Sequence, residues 1–199
     1  MSVATANSST ARHAESSVPL VDLLNERWSP RSFDPAAVIP ETSVTAMLEA
    51  ARWTASAGNS QSRRFIAGVR GGEIFTAIHD SLLGFNQVWA GNAGALIVGI
   101  AVSENAEGEP QRYAEYDLGQ SMASLAVQAH AEGLHIHQMG GIDADKLSLA
   151  FELPSHFVPM TVTAIGTVAA AHLLGEQAAA RETAPRTRLA LDEIVLTRD

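Results

Sequence analysis

Arg27-Trp28-Ser29-Pro30-Arg31 and Pro185-Arg186-Thr187-Arg188 hold four of the 13 lysines and arginines of this chain. In each cluster a hydroxyl residue stands between two arginines. Guanidinium groups are rigid forks of N–H donors that match phosphate oxygens, and Ser or Thr adds a neutral donor. A phosphate monoester gripped from both clusters accounts for this placement in a chain whose formal net charge is -9. Solvated arginines beside helix ends account equally well for either cluster taken alone.

Three further groups could act on a ligand. The loop Ser56-Ala57-Gly58-Asn59-Ser60-Gln61 offers Ser56, Asn59 and Gln61 on turn-forming backbone. Amides both donate and accept, which suits the edge of a heterocycle with alternating C=O and N–H groups. A purely structural turn competes. Gly140-Gly141, following an expected strand, can bring backbone N–H groups close to a ligand or form an ordinary turn. His135 and His137, two apart on that strand, face one side. A metal would need a third ligand, and Asp143 or Asp145 serves only if the chain folds back; packing or surface roles compete, and no metal site is assigned. No Gly-x-Gly-x-x-Gly follows a strand, and neither a Walker-type Gly-Lys-Ser/Thr nor a Gly-x-Ser-x-Gly elbow exists.

The elements that must position these groups follow from periodicity and punctuation. Val18–Arg27 reads as a short helix with Leu20, Val21, Leu23 and Leu24 on one face, ended by Pro30. Pro35 and Pro40 keep the next stretch extended. Thr42–Trp53 is a second helix, with Val44, Met47, Leu48 and Ala51 at helical spacing. Phe65–Val69 is a strand and Glu73–Leu83 a helix. Ala95–Val102 is a continuous apolar run, as in a buried central strand. Glu104–Pro110 is an acidic turn. A long helix from about Gln111 to Glu132 stops at Gly133, and its small residues allow close approach of another helix, within the chain or from a partner. Leu134–Met139 is a strand, Asp143–Leu153 a helix, and Met160–Val168 a strand. Ala169–Ala184 is weakly specified, and Leu189–Thr197 is a terminal strand or arm. Four strands among five or six helices, without clean βαβ repetition, make an α+β or mixed α/β pattern.

Composition narrows the class. The 199 residues suit one domain, 18–199, with a Ser/Ala/Thr-rich disordered tail over 1–17 and an arm over 189–199. With no cysteine, disulfides and thiolate chemistry are excluded. An acidic chain without a long basic run argues against nucleic acid, and no apolar run is long enough for a membrane span. The cytoplasm is the default compartment.

Taken in order, several motifs resemble one family. Arg27-x-Ser29-x-Arg31-x-Phe33, then Glu49-Ala50-Ala51-Arg52-Trp53, then Ser56-Ala57-Gly58-Asn59-Ser60-Gln61 are similar to the amino-terminal half of the nitroreductase family of FMN-dependent oxidoreductases. Asp117-Leu118-Gly119, Gly133-Leu134, Gly140-Gly141-Ile142-Asp143, Ile165-Gly166 and Arg186 to Val195 follow in the expected order, so the resemblance covers roughly Leu20 to Val195. It implies an intertwined α+β homodimer whose mainly antiparallel sheet is flanked by helices. It implies FMN at the interface and NADH or NADPH as cosubstrate. Arg27, Ser29, Arg186 and Arg188 correspond to phosphate-binding positions, and Arg31 to a cation near the ribityl chain and pyrimidine end. Ser56 and Asn59 fall in the loop that reaches the other subunit's FMN. Gly140 and Gly141 match the stretch approaching flavin N5. Trp28 and Gln61 belong to the same motifs, and Asn86, with Gln87, matches the polar residues that read the ring.

Three departures bear on the substrate more than on FMN. Ser62-Arg63 stands where many relatives have Pro-Trp, Gly140 stands where an acidic residue is frequent, and the segment between Phe65 and Ala95 is short. The reading is therefore an FMN-dependent NAD(P)H oxidoreductase that reduces small electron-poor acceptors, such as nitroaromatics or quinones, by ping-pong hydride transfer. The chemistry lies at flavin N5, and no side chain is assigned as catalytic acid or base. Alternatives are dehalogenation, enone reduction or flavin fragmentation on the same fold, a non-enzymatic FMN carrier, and a phosphate-ligand binder without flavin.

Overall fold

The computed structural model describes residues 12–198. Its centre is a four-stranded, wholly antiparallel sheet in the order β1-β2-β4-β3. The strands are β1 (Arg63–Val69), β2 (Ala95–Val102), β3 (His135–Met139) and β4 (Phe157–Gly166). Every residue of β2 is buried, as its apolar run requires of a central strand covered on both faces. Alternate residues serve opposite layers. Ala95, Ile97 and Ala101 join one core, and Leu96, Val98 and Ile100 the other. A register shift between Gly99 and Ile100 lets β4 accommodate Pro159, so β4 begins earlier than the expected Met160.

Helices α2 (Glu41–Trp53) and α5 (Ala114–Ala131) cover the first face. Val44, Met47 and Ala51 of α2 are buried, as their spacing predicts. Small residues of α5 let α2 come close, and the Thr54 hydroxyl donates to Ser124 Oγ at 2.7 Å just past the end of α2. α5 ends where Gly133 takes φ 75°, the left-handed cap that glycine allows. The other face carries α3 (Glu73–Asp80), α4 (Phe85–Ala90) and α6 (Ala144–Ala150). The short α4 lies in a segment with no expected helix after Leu83.

Three expectations need correction. The helix expected over Val18–Arg27 is a single turn, α1 (Asp22–Asn25), and buries none of its residues. Leu20, Val21, Leu23 and Leu24, expected to form its packed face, are exposed. The weakly specified Ala169–Ala184 stretch contains α7 (Glu176–Thr183), and the terminal segment forms no strand but one turn, α8 (Leu191–Ile194). Of the expected tail, residues 1–11 lie outside the described residues, whereas Arg12, His13 and Ala14 make specific contacts with the domain. Among the described residues no helix is long and apolar enough to cross a membrane.

Candidate functional site

The two arginine clusters meet beside β3, and α7 is what joins them. Past Pro30 the chain runs extended beside the end of β4: Phe33 bridges Val168, and Ser32 O accepts from Ala169 N at 2.9 Å. The Glu182 carboxylate, buried on α7, accepts from Arg31 N at 2.9 and 3.0 Å and from Ser32 N at 3.0 Å. A buried carboxylate holding backbone N–H groups is a strong local clamp. It pins α7 under the first cluster and delivers Arg186 and Arg188 four and six residues later, in reach of Arg27.

Their charges crowd one another. Burial lowers the pKa of the Arg27 guanidinium, and the charge of Arg188 adds to this. Burial likewise lowers that of Arg186, helped by Arg27, Arg188 and Arg12. Arg186 Nη1 donates only to backbone, to the carbonyls of Arg12 at 2.6 Å and Asn25 at 2.7 Å. Arg27 Nη1 lies 3.4 Å from Ser29 Oγ. Among the described residues, none of Arg27, Arg31, Arg186 and Arg188 forms an ion pair with a carboxylate. Converging, partly buried cations without counter-charge are what an anion site requires.

Trp28 lies beneath this cluster. Its side chain is buried, with Arg12 stacked 4.1 Å from the ring centroid and His135 edge-on at 6.1 Å. The side chain packs under the cluster. The two strand histidines also pack. His137 Nδ1 lies 2.9 Å from Pro30 O, and its ring sits 4.7 Å from Trp89. Burial, then the charge of Arg31, lowers His137 to a pKa of about 4, against the hydrogen bonds to Pro30 and Ser29 carbonyls. Burial, then His130 and Arg27, lowers His135 to about 4. Asp143, weighed as a metal ligand, instead caps α6, accepting from Lys146 N at 2.9 Å. Among the described residues no three His, Asp or Glu side chains converge as a metal site.

β3 leads from this cluster to Gly140 and Gly141 at its far end, about 20 Å from His135 at roughly 3.3 Å per residue. Asn86 on α4 comes to the same place, its Nδ2 donating to Gly141 O at 3.3 Å. A Cβ at position 141 would stand 2.8 Å from that nitrogen and would push the Asn86 amide aside, whereas Gly140 faces open space.

The loop carrying Ser56, Asn59 and Gln61 lies elsewhere. It feeds β1, whose Arg63 aligns with Ala101 and through it with Val158 at the start of β4; His135 aligns with Gly166 at the other end. Loop and arginines thus occupy opposite edges and opposite ends of the sheet. One chain does not bring them together. The loop is nevertheless built, with Gly58, Asn59 and Gln61 all at positive φ. It is held from below by Asp117 of α5, a fully buried carboxylate. Asp117 Oδ2 accepts from Ala57 N at 3.0 Å and faces the hydroxyls of Ser60 and Ser62 at 3.4 and 3.5 Å. Glu182 and Asp117 were not among the candidate residues. A buried acid reads in sequence as any surface acid, and Asp117 stands two residues from Glu115 in the same helical turn.

Comparison with known proteins identifies the family. The model of the nitroreductase family matches residues 24–88. An oxidoreductase containing FMN, known from its crystal structure, is 34% identical, covers 95% of both chains and superposes with a TM-score of 0.86. The chain belongs to the nitroreductase family. This nitroreductase-family chain is also 34% identical over 142 residues to an uncharacterized 15.4 kDa protein of Mycolicibacterium smegmatis, spanning 67% of this chain and 95% of that protein. An FMN-dependent nitroreductase of Clostridium difficile R20291 shares the fold at 18% identity, with a TM-score of 0.65 over 75% of this chain and 87% of that one.

Proposed function

We propose that this protein is an FMN-dependent oxidoreductase that works as a homodimer. The observation that carries this reading is the convergence of Arg27, Arg186 and Arg188 without a carboxylate partner, at one end of a strand whose other end is the Gly140-Gly141 pair. The residues fit the group. Arg27, Ser29, Arg186 and Arg188 would hold the FMN phosphate, Arg31 would lie toward the ribityl chain and pyrimidine end, and Gly140, Gly141 and Asn86 would face the ring. Ser56, Asn59 and Gln61 would come from the second copy, because the first carries them on the far corner of its sheet. Exposed Val21, Leu24, Leu191, Ile194 and Leu196 supply apolar surface for that association.

Bound FMN would supply two-electron chemistry, taking hydride from NADH or NADPH and passing it to a small electron-poor acceptor such as a nitroaromatic or a quinone, in a ping-pong cycle. The chain's own contribution is binding and electrostatics. Arg31 would favour negative charge at the pyrimidine end. Asn59 and Gln61 would orient the ring edge by donating and accepting. Packed His135 and His137, held neutral, leave the cluster's charge to the arginines. Domain 18–199 would act as one unit with its 189–199 arm in the subunit interface.

The deciding experiment is anaerobic mixing of the purified protein with each nicotinamide, followed by reoxidation with nitroaromatics, quinones and halogenated phenols. A yellow protein bleached by NADH or NADPH and recoloured by an acceptor is expected. Yellow protein that neither nicotinamide bleaches would make it an FMN carrier; colourless protein that binds no FMN would remove flavin altogether.

A further inference from the structure

We propose that the N-terminal segment is a built part of the anion site: Arg12 supplies a fifth guanidinium, and the strap it belongs to holds Arg186 in position. This rests on the phosphate role given above to Arg27, Arg186 and Arg188. Arg12 precedes the 24–88 stretch matched by the family model.

The strap is tied down at several points. Ala14 N donates to Asn25 O and to Asn25 Oδ1, each at 3.0 Å. His13 Nε2 lies 3.4 Å from Glu26 Oε1. These contacts dock residues 13–14 against the turn that ends one residue before Arg27. Arg186 Nη1 then reaches across to the carbonyls of Arg12 and Asn25, at 2.6 and 2.7 Å. Its orientation is set jointly by strap and turn, and the strap is half of the cradle.

The Arg12 side chain points into the same region. It stacks on Trp28, donates from Nη1 to the Glu182 carbonyl, and leaves Nε buried with no partner among the described residues. Burial lowers its pKa; Glu182 offsets this and Arg31 adds to it, while Arg12 in turn lowers Arg186. Stacking on Trp28 accounts for where the guanidinium lies. The Glu182 charge attracts it as well, yet Arg12 also adds to the repulsion on Arg186, which Arg27 and Arg188 already crowd. A dianionic phosphate monoester offsets that crowding, and the same argument covers free phosphate.

Two full-length variants separate the strap's two contributions. Arg12→Ala removes the cation and keeps the carbonyl that holds Arg186. Ala14→Pro removes the N–H that docks the strap and keeps the Arg12 side chain. Each should weaken FMN about tenfold, as expected for one charge-assisted hydrogen bond, and leave riboflavin within about twofold. Arg188→Ala serves as the control for the phosphate site. If Arg188→Ala discriminates against FMN while both strap variants bind FMN normally, or lose both flavins equally, the strap inference fails and the FMN reading stands. A second measurement does not depend on flavin. Trypsin cleavage after Arg12 in the wild type should slow in inorganic phosphate and in FMN, but not in riboflavin. Cleavage unaffected by phosphate overturns the inference even if no flavin binds.

Discussion

Asp117→Asn should loosen the Ala57–Ser62 loop and lower stability, whether or not a cofactor is bound. The substitution keeps the shape of the side chain and removes its charge. Asp117 Oδ2 accepts one well-formed bond, from Ala57 N at 3.0 Å, and two longer hydroxyl contacts at 3.4 and 3.5 Å. A hydrogen bond to a charged acceptor contributes roughly 1.5–3 kcal/mol. Contacts near 3.5 Å add little. The Asp117 charge also opposes the burial that lowers the pKa of Arg63, whose buried Nη1 has no partner among the described residues. A loss of about 2–3 kcal/mol is the result. For a chain of this size that is a fall in Tm of roughly 4–12 °C. Scanning calorimetry measures the fall, and hydrogen exchange at the amides of 57–62 locates it. Gly58, Asn59 and Gln61 hold positive φ, a conformation costly for the non-glycine residues, so these amides should lose protection first. A Tm within about 1 °C of wild type, with unchanged exchange in the loop, would falsify the claim that Asp117 holds it.

Arg188→Ala should weaken FMN by about tenfold or more and riboflavin far less, read by fluorescence titration; equal weakening removes Arg188 from the phosphate site. Deleting residues 189–199 should give a monomer and lose flavin together, because the loop bearing Ser56 and Asn59 would no longer reach the site; a monomer with full FMN affinity, by sedimentation and titration, contradicts this. Asn59→Ala should slow flavin reduction on the order of a hundredfold through misplacement of the ring, with little new pH dependence. Wild-type initial-rate plots should give parallel lines, and intersecting lines would exclude a single shared substrate site. Since His135 and His137 are depressed to about 4 in the folded chain, the unfolded chain binds more protons below about 6.5. Stability should therefore fall as pH drops from about 6.5 toward 4. The urea midpoint of the His135→Gln/His137→Gln variant should fall less steeply over that range, and an identical slope would show that other groups carry the effect.

The strands and long helices were legible from residues 42 to 168 because local patterns there agree with tertiary burial. Ala95–Val102 is apolar throughout, and every position is buried. Val44, Met47 and Ala51 recur at helical spacing, and they face the core. The pattern misled where an apolar stripe has no partner within one chain. Leu20, Val21 and Leu24 read as a packed face and are exposed around a single helical turn. The Ala169–Ala184 stretch gave too little periodicity to reveal α7.

The sequence alone determined the types of group available to a ligand: paired arginines with hydroxyls between them, an amide-bearing turn, and a glycine pair after a strand. Those properties are local, set by side-chain chemistry and short-range backbone freedom. Which groups meet was decided only by the tertiary structure. Glu182, buried 150 residues from Ser32, ties α7 to the first arginine cluster, while strand order β1-β2-β4-β3 sends the Ser56–Gln61 loop to the opposite corner. Arg12 lay inside a stretch whose composition suggests disorder, yet it stacks on Trp28 and shares the cluster. Composition averages over a segment, whereas a buried cluster depends on a few contacts between residues far apart in the chain. Those contacts exist only once the sheet has set their distance.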